Sequence, residues 1–171
     1  MPKVSPDTLM IVNGEPVSGW LADIIIGNGG TSERAFEETL RQVLIVQAGK
    51  RLGLTATEEE AVAFLKKEEA SWANDSAEER AKHDALQIAQ NLPTSEIWRD
   101  PEEMKRWGIP MVTMLKVGEY VNKHADRHEV IPGTGIFEPD TAMSDFLAQE
   151  RANATIIDCR TEDCSAAAAA D

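Results

Sequence analysis

The sequence predicts a mainly α-helical protein: a multi-helix module with a small β element that pairs N-terminal and C-terminal strands. Three observations carry that reading. Apolar residues recur at helical spacing through most of the 171 residues. β-prone runs are confined to one stretch near each end, "TLMIV" and "NATIID". Cap and stop residues punctuate the helical runs at the offsets that helix ends require.

Leu9, Ile11 and, past the turn, Val17 are β-prone, and Asn13-Gly14 between them is a strong hairpin signal. Ser18 fits an N-cap position. Trp20, Leu21, Ile24 and Ile25 follow at i, i+1, i+4 and i+5, giving a short helix an apolar face that ends at "GNGG", Gly27 to Gly30. The next helix opens at Thr31 or Ser32. It carries Phe36, Leu40, Val43, Leu44, Ala48 and Leu52, stops at Gly53, and is the most apolar of all, so the core is expected around it. "LTATEEE" offers two overlapping capping boxes, Thr55 with Glu58 and Thr57 with Glu60. The helix they start carries Ala61, Val62, Leu65, Glu69 and Trp72. Ser76 with Glu79 opens another, with Ala81, Ala85, Ile88, Ala89 and Leu92 on one face and Pro93 as its stop. Asp100 and Pro101 suit N-cap and N1. That helix is expected to be short, interrupted by Gly108 and Pro110, with a separate helix from about Pro110 to Ala125 carrying Met111, Met114, Leu115, Gly118 and Val121. "RHEVIPGTGIFEPD" reads as a crossing loop. A last helix starts near Asp140 and carries Met143, Phe146 and Leu147, before the β-prone residues 153–158. A lone hairpin is marginal in water, so residues 153–158 are expected to pair with residues 8–12 as a third strand.

Composition narrows the partners. With 30 acids against 17 bases the net charge is −13, which disfavours phosphate backbones and hence nucleic acid. The apolar content of 42% with 27% charged residues is that of a soluble globular protein. No apolar run has the length of a membrane-spanning helix, so no membrane insertion is expected. "MPKVSPDTLM" has no apolar h-region, so no signal peptide is read there.

The stretch "VNGEPVSGWL", followed by an apolar helix ending "LIVQAGKRLGLTATEEEAVAFLK", resembles the N-terminal domain of SurA-type chaperones, of the parvulin-type foldase family. The resemblance rests on Val12, Asn13, Gly14, Val17 and Ser18, and then on Leu44, Ile45, Ala48, Leu52, Gly53, Leu54, Thr57, Glu60 and Val62. "FLAQERANATIID" is similar to the helix and strand that close the same module. The pattern departs where the prolyl isomerase domain would lie. Only residues 127–138 occupy that place, and the paired histidines and glycine-rich segments of that domain are missing. The resemblance therefore implies the chaperone part without the isomerase. It also implies an extracytoplasmic setting; with no signal peptide read at the N-terminus, either the protein is cytoplasmic or its export signal is missing from this chain. The expected organisation is a helical domain over 1–126, a crossing loop over 127–138, a closing helix and strand over 139–158, and a tail over 159–171.

No catalytic constellation can be assigned from three histidines, His83, His124 and His128, and no cofactor is called for, so the expected function is non-catalytic. Trp20, Leu21, Ile24, Ile25, Met111, Met114 and Leu115 are large and adaptable. Read plainly they are core. If some line an open cleft they would bind unfolded or extended polypeptide, and a second copy of the chain could use the same surface. Two alternatives stand beside this. His124 and His128, with Asp126 and Glu129 near, would share a helix face at i, i+4 and could hold a metal if the helix ran through both, although solvated charges at a helix end are the plainer reading. Cys159, Thr161, Cys164 and Ser165 are residue types that peptide-modifying enzymes use, so residues 1–158 could serve as a folded leader or scaffold. The two cysteines are read first as unpaired, then as a small disulfide loop, and last as half a metal site. "GNGGTSE" is read as a helix-to-helix turn ahead of an anion cradle, because it lacks the lysine of a phosphate loop.

Overall fold

The computed structural model of the chain describes residues 7–89 and 100–164. It is mainly helical with a small antiparallel sheet, as expected. β1 (Thr8–Val12) and β2 (Glu15–Ser18) form the hairpin, and Asn13 at φ 53° and Gly14 at φ 80° give the two left-handed residues of a tight turn. β3 (Ile156–Asp158) pairs with the other side of β1, matching Met10 with Asp158, Ile11 with Ile157 and Val12 with Ile156. The strand order is therefore β2-β1-β3, and the sheet ties the two ends of the chain together. Pro16 stands opposite Ile11, at a position where the backbone faces away from β1, so the free edge of β2 lacks a donor there.

The helix α1 (Trp20–Gly27) is preceded by Gly19 in the cap position rather than Ser18. Ser18 still helps, since its hydroxyl accepts the Trp20 N–H at 3.1 Å. The turn into α2 (Ser32–Arg51) needs Gly30, because a Cβ there would lie 2.6 Å from Ile25 Cγ2. Thr31 caps α2 through the Arg34 N–H, and Phe36, Leu40, Leu44, Ile45 and Ala48 are buried along it.

Of the two overlapping capping boxes, the structure uses Thr57 with Glu60 to start α3 (Glu58–Ser71). The reason is tertiary: the preceding Ala56 is buried, and its N–H is held at 3.0 Å by Thr113 Oγ1, so the chain has not yet turned helical at Thr55. Ser76 and Glu79 form the reciprocal cap of α4 (Ala77–Ala89). Ala81 and Ala85 of this helix are exposed. The Ile88 and Ala89 side chains, Leu92 and the expected stop at Pro93 lie outside the described residues.

The expected break at Gly108 and Pro110 is not found. One helix, α5, runs unbroken over Pro101–Asp126 with Pro110 inside it. Packing overrides local propensity here. Trp107 and Gly108 are buried against α3, where a Cβ on Gly108 would meet Ala61 Cβ and Leu65 Cδ1 at 3.0 Å. Contacts with α2 and α3 hold the helix on both sides of the proline. Residues 127–138 form a short loop pinned by an Ile131–Gly135 bridge, with Ile131 buried. The last helix, α6 (Ala142–Asn153), packs on α2 and α5 and leads into β3.

Among the described residues, three apolar clusters fill the interior. The first joins Ile45 and Ala48 of α2 to Val117, Val121 and Ala125 of α5, Ile131, and Ala142 and Phe146 of α6. The second joins Leu21, Ala22 and Ile25 of α1 to Ala35, Leu65, Met104 and Trp107. The third sets Met10 and Val12 of β1 against Phe36, Leu40 and Leu44. As expected, α2 contributes to all three. Among the described residues no helix is long and apolar enough to cross a membrane.

Candidate functional site

The seven apolar candidates divide by depth. Leu21 and Ile25 belong to the closed core, Ile25 being 1% exposed, so they offer no surface in this conformation. The short α1 turns them inward because the helix crosses α2. Trp20 and Met111 are half-buried and pack on the outside of the same cluster, together with Phe64 of α3 and Leu9 of β1. Met114 packs instead against the first cluster. Ile24 is half-buried on α1, and Leu115 is exposed on α5. The arrangement is thus a rim of Trp20, Phe64 and Met111 over a floor of Leu21, Ile25, Leu65, Met104 and Trp107.

Two contacts set the Trp20 side of this rim. Its indole meets the buried Trp107 ring at 6.2 Å between centroids, in a tilted arrangement that suits aromatic quadrupoles. Arg106 lies over the Trp20 ring at 4.6 Å and bonds Ser18 Oγ at 3.3 Å, placing a cation at the rim. Phe64 was not among the expected site residues. Its signal was present at i+3 from Ala61, but an aromatic at that spacing reads equally as core.

The histidine pair is not brought together as a ligand pair. The helix ends at Asp126, and His128 follows in a left-handed turn at φ 51°, exposed. His124 points elsewhere: its Nδ1 lies 2.9 Å from the Tyr120 carbonyl oxygen and its ring stacks on Tyr120. Among the described residues no group of three or more His, Cys, Asp or Glu is placed to hold a metal. The His83 ring packs against Trp72 in a tilted arrangement, 3.4 Å between ring centroids, which joins α4 to the end of α3.

The first reading of Cys159 and Cys164 as unpaired is overturned. They form a disulfide, with Cα atoms 5.4 Å apart. The Asp158 carbonyl accepts the N–H groups of Thr161 and Glu162, a turn that carries Cys164 back to Cys159. The bond also takes both thiols that the modification reading invokes, and Ser165 lies outside the described residues. "GNGG" serves as the turn between α1 and α2, as expected, with Gly29 in the left-handed region.

Electrostatically the surface is laced with ion pairs. Arg151 of α6 grips Glu37 of α2 through Nη1 and Nη2, and that hydrogen bonding holds the Glu37 carboxyl below its usual range. Arg160 does the same to Asp158. Comparison with models of protein families, with curated proteins and with solved structures finds no match to this chain.

Proposed function

We propose that the chain is a non-catalytic, chaperone-like protein that holds unfolded or extended polypeptide against the apolar rim of Trp20, Phe64 and Met111. The observation that carries the reading is that rim: large, partly exposed aromatic and thioether side chains gathered from α1, α3 and α5 over one apolar floor. Such side chains tolerate varied apolar partners because they are broad or flexible. The resemblance to a SurA-type N-terminal domain without its isomerase points the same way. The net charge of −13 would keep the protein soluble while it carries an apolar load and would favour basic clients. The work done is burial of client apolar surface, at roughly 25 cal/mol per Å² removed from water, without covalent chemistry.

Aggregation of a heat-unfolded client, followed by light scattering, tests this. Suppression is expected at a several-fold excess, with no acceleration of prolyl isomerisation. Trp20→Ala combined with Met111→Ala should weaken it, whereas Val130→Ala, an exposed apolar residue on the 127–138 loop, should not. No suppression by the native protein overturns the reading. Dimers in solution that dissociate on the Trp20/Met111 change would assign the rim to a second copy instead.

A further inference from the structure

We propose that the Cys159–Cys164 disulfide is a thiol-controlled latch that keeps β3 on the edge of β1, and that reduction opens this edge to an extended polypeptide. The inference rests on the polypeptide-binding reading above, but it concerns the sheet rather than the rim.

The third strand is short, only Ile156–Asp158, and none of its residues is fully buried. Leu9, Ile11 and Asn13 turn their backbone groups toward it. The flanking bonds run from the Asn13 N–H to the Thr155 carbonyl at 2.8 Å and from the Cys159 N–H to the Leu9 carbonyl at 3.1 Å. The first of these is backed by the Asn13 side chain, whose Oδ1 accepts the Thr155 N–H. The second stands at the first half-cystine itself. Beyond it, Arg160 reaches the Ser32 carbonyl at 3.2 Å and lies 4.0 Å over the Phe36 ring, so the closed loop clips the strand end onto the start of α2. Cys164 is buried at 6% exposure while Cys159 is half-buried, so Cys159 is the more accessible half of the bond. A three-residue strand held at one end by a six-residue covalent ring depends on that ring more than a long strand would.

The chemistry balances with a dithiol reductant. Its thiolate attacks Cys159 Sγ and the Sγ–Sγ bond breaks. Cys164 leaves as a thiolate and takes a proton. The second reductant thiol resolves the mixed disulfide, releasing Cys159 as a thiol. Two electrons and two protons pass to the protein, and the reductant leaves as its own disulfide. With the ring open, the Leu9 and Ile11 backbone groups become free for strand addition by an extended chain.

Amide hydrogen exchange on oxidised and dithiol-reduced protein tests the latch with no client present. Reduction should speed exchange at Cys159 and Ile11 by at least about tenfold while the centres of α2 and α5 keep their protection. The Cys159→Ser/Cys164→Ser variant should exchange as the reduced protein does and ignore the reductant. Equal protection in the two redox states overturns the latch. The second arm measures capture of a permanently unfolded, carboxymethylated protein, whose own cysteines are blocked. Capture should rise on reduction, and should do so in the Trp20→Ala/Met111→Ala background as well. Faster exchange without a rise in capture overturns the edge as a polypeptide site, while the rim reading fails only by its own aggregation assay.

Discussion

Arg51 and Glu150 meet end to end across 99 residues of sequence: the two guanidinium nitrogens Nη1 and Nη2 donate to the two carboxylate oxygens at 2.9 and 2.6 Å. The pair joins the last turn of α2 to α6, and it is lopsided. The Glu150 side chain is 9% exposed and that of Arg51 is 41% exposed. Removing the cation therefore strands a buried carboxylate, whereas removing the acid leaves a guanidinium that water can reach. Arg51→Ala should cost about 2 kcal/mol and Glu150→Ala about 1 kcal/mol, by the usual cost of a broken charged hydrogen bond. Chemical denaturation checks this. The double variant should cost less than the sum, because the two sites share one interaction.

Two changes only two residues apart on α5 should move stability in opposite directions. Pro110→Ala restores a helix donor in the middle of α5 and should stabilise by about 1 kcal/mol, a fraction of the interior-proline penalty. Gly108→Ala gains helix propensity but drives a Cβ to 3.0 Å from Ala61 Cβ and Leu65 Cδ1, so it should destabilise by about 1–3 kcal/mol. Thermal melts of the two variants decide it. Equal effects would mean that the α3–α5 crossing yields more readily than the geometry implies.

Thr113 is buried, and its hydroxyl is the acceptor for the Ala56 N–H. Thr113→Val keeps the shape and removes the acceptor, leaving a buried donor unpaired at a cost of about 1–3 kcal/mol. Thr113→Ser keeps the oxygen and should recover part of the loss. Urea midpoints of the two variants separate the hydrogen bond from the packing.

Stability should fall with acid. Hydrogen bonding to Arg151, Arg160 and Lys116 holds Glu37, Asp158 and Glu60 respectively below the ordinary values of 4.5 for Glu and 3.8 for Asp. A carboxyl with a lowered folded value favours the folded state while it is ionised. That contribution is complete above the ordinary value and is lost as pH drops through the lower, folded one. Denaturation followed from neutral pH to about pH 3 should show the decline beginning near the ordinary carboxyl range. Glu37→Gln should make the decline shallower. These groups are largely solvated, so each contributes modestly, and added salt should weaken the effect.

The local grammar of the fold was legible because it depends on short-range chemistry. Asn13-Gly14 specifies the turn through two left-handed residues, Ser76 with Glu79 caps α4, and Asp100-Pro101 starts α5, each within a few residues of chain. The pairing of residues 8–12 with the second β-prone stretch was legible too, since two isolated strands in a helical chain need each other. The site was less legible. Leu21 and Trp20 are neighbours of similar character, yet one lies in the floor and the other on the rim.

By itself, then, the sequence determined the element types, most helix starts, the sheet partners and the apolar content available to a core. Tertiary structure decided the rest. It carried α5 straight through Pro110 because burial of Trp107 and Gly108 against α3 outweighs a local helix penalty. It chose Thr57 over Thr55 because Thr113, far along the chain, holds Ala56. It joined Cys159 to Cys164 through the turn at Asp158 and separated rim from floor by the way α1 crosses α2. The physical reason is common to all four. Propensity and capping act over one or two turns of backbone, whereas burial and hydrogen-bond satisfaction depend on groups that only the folded chain brings within reach.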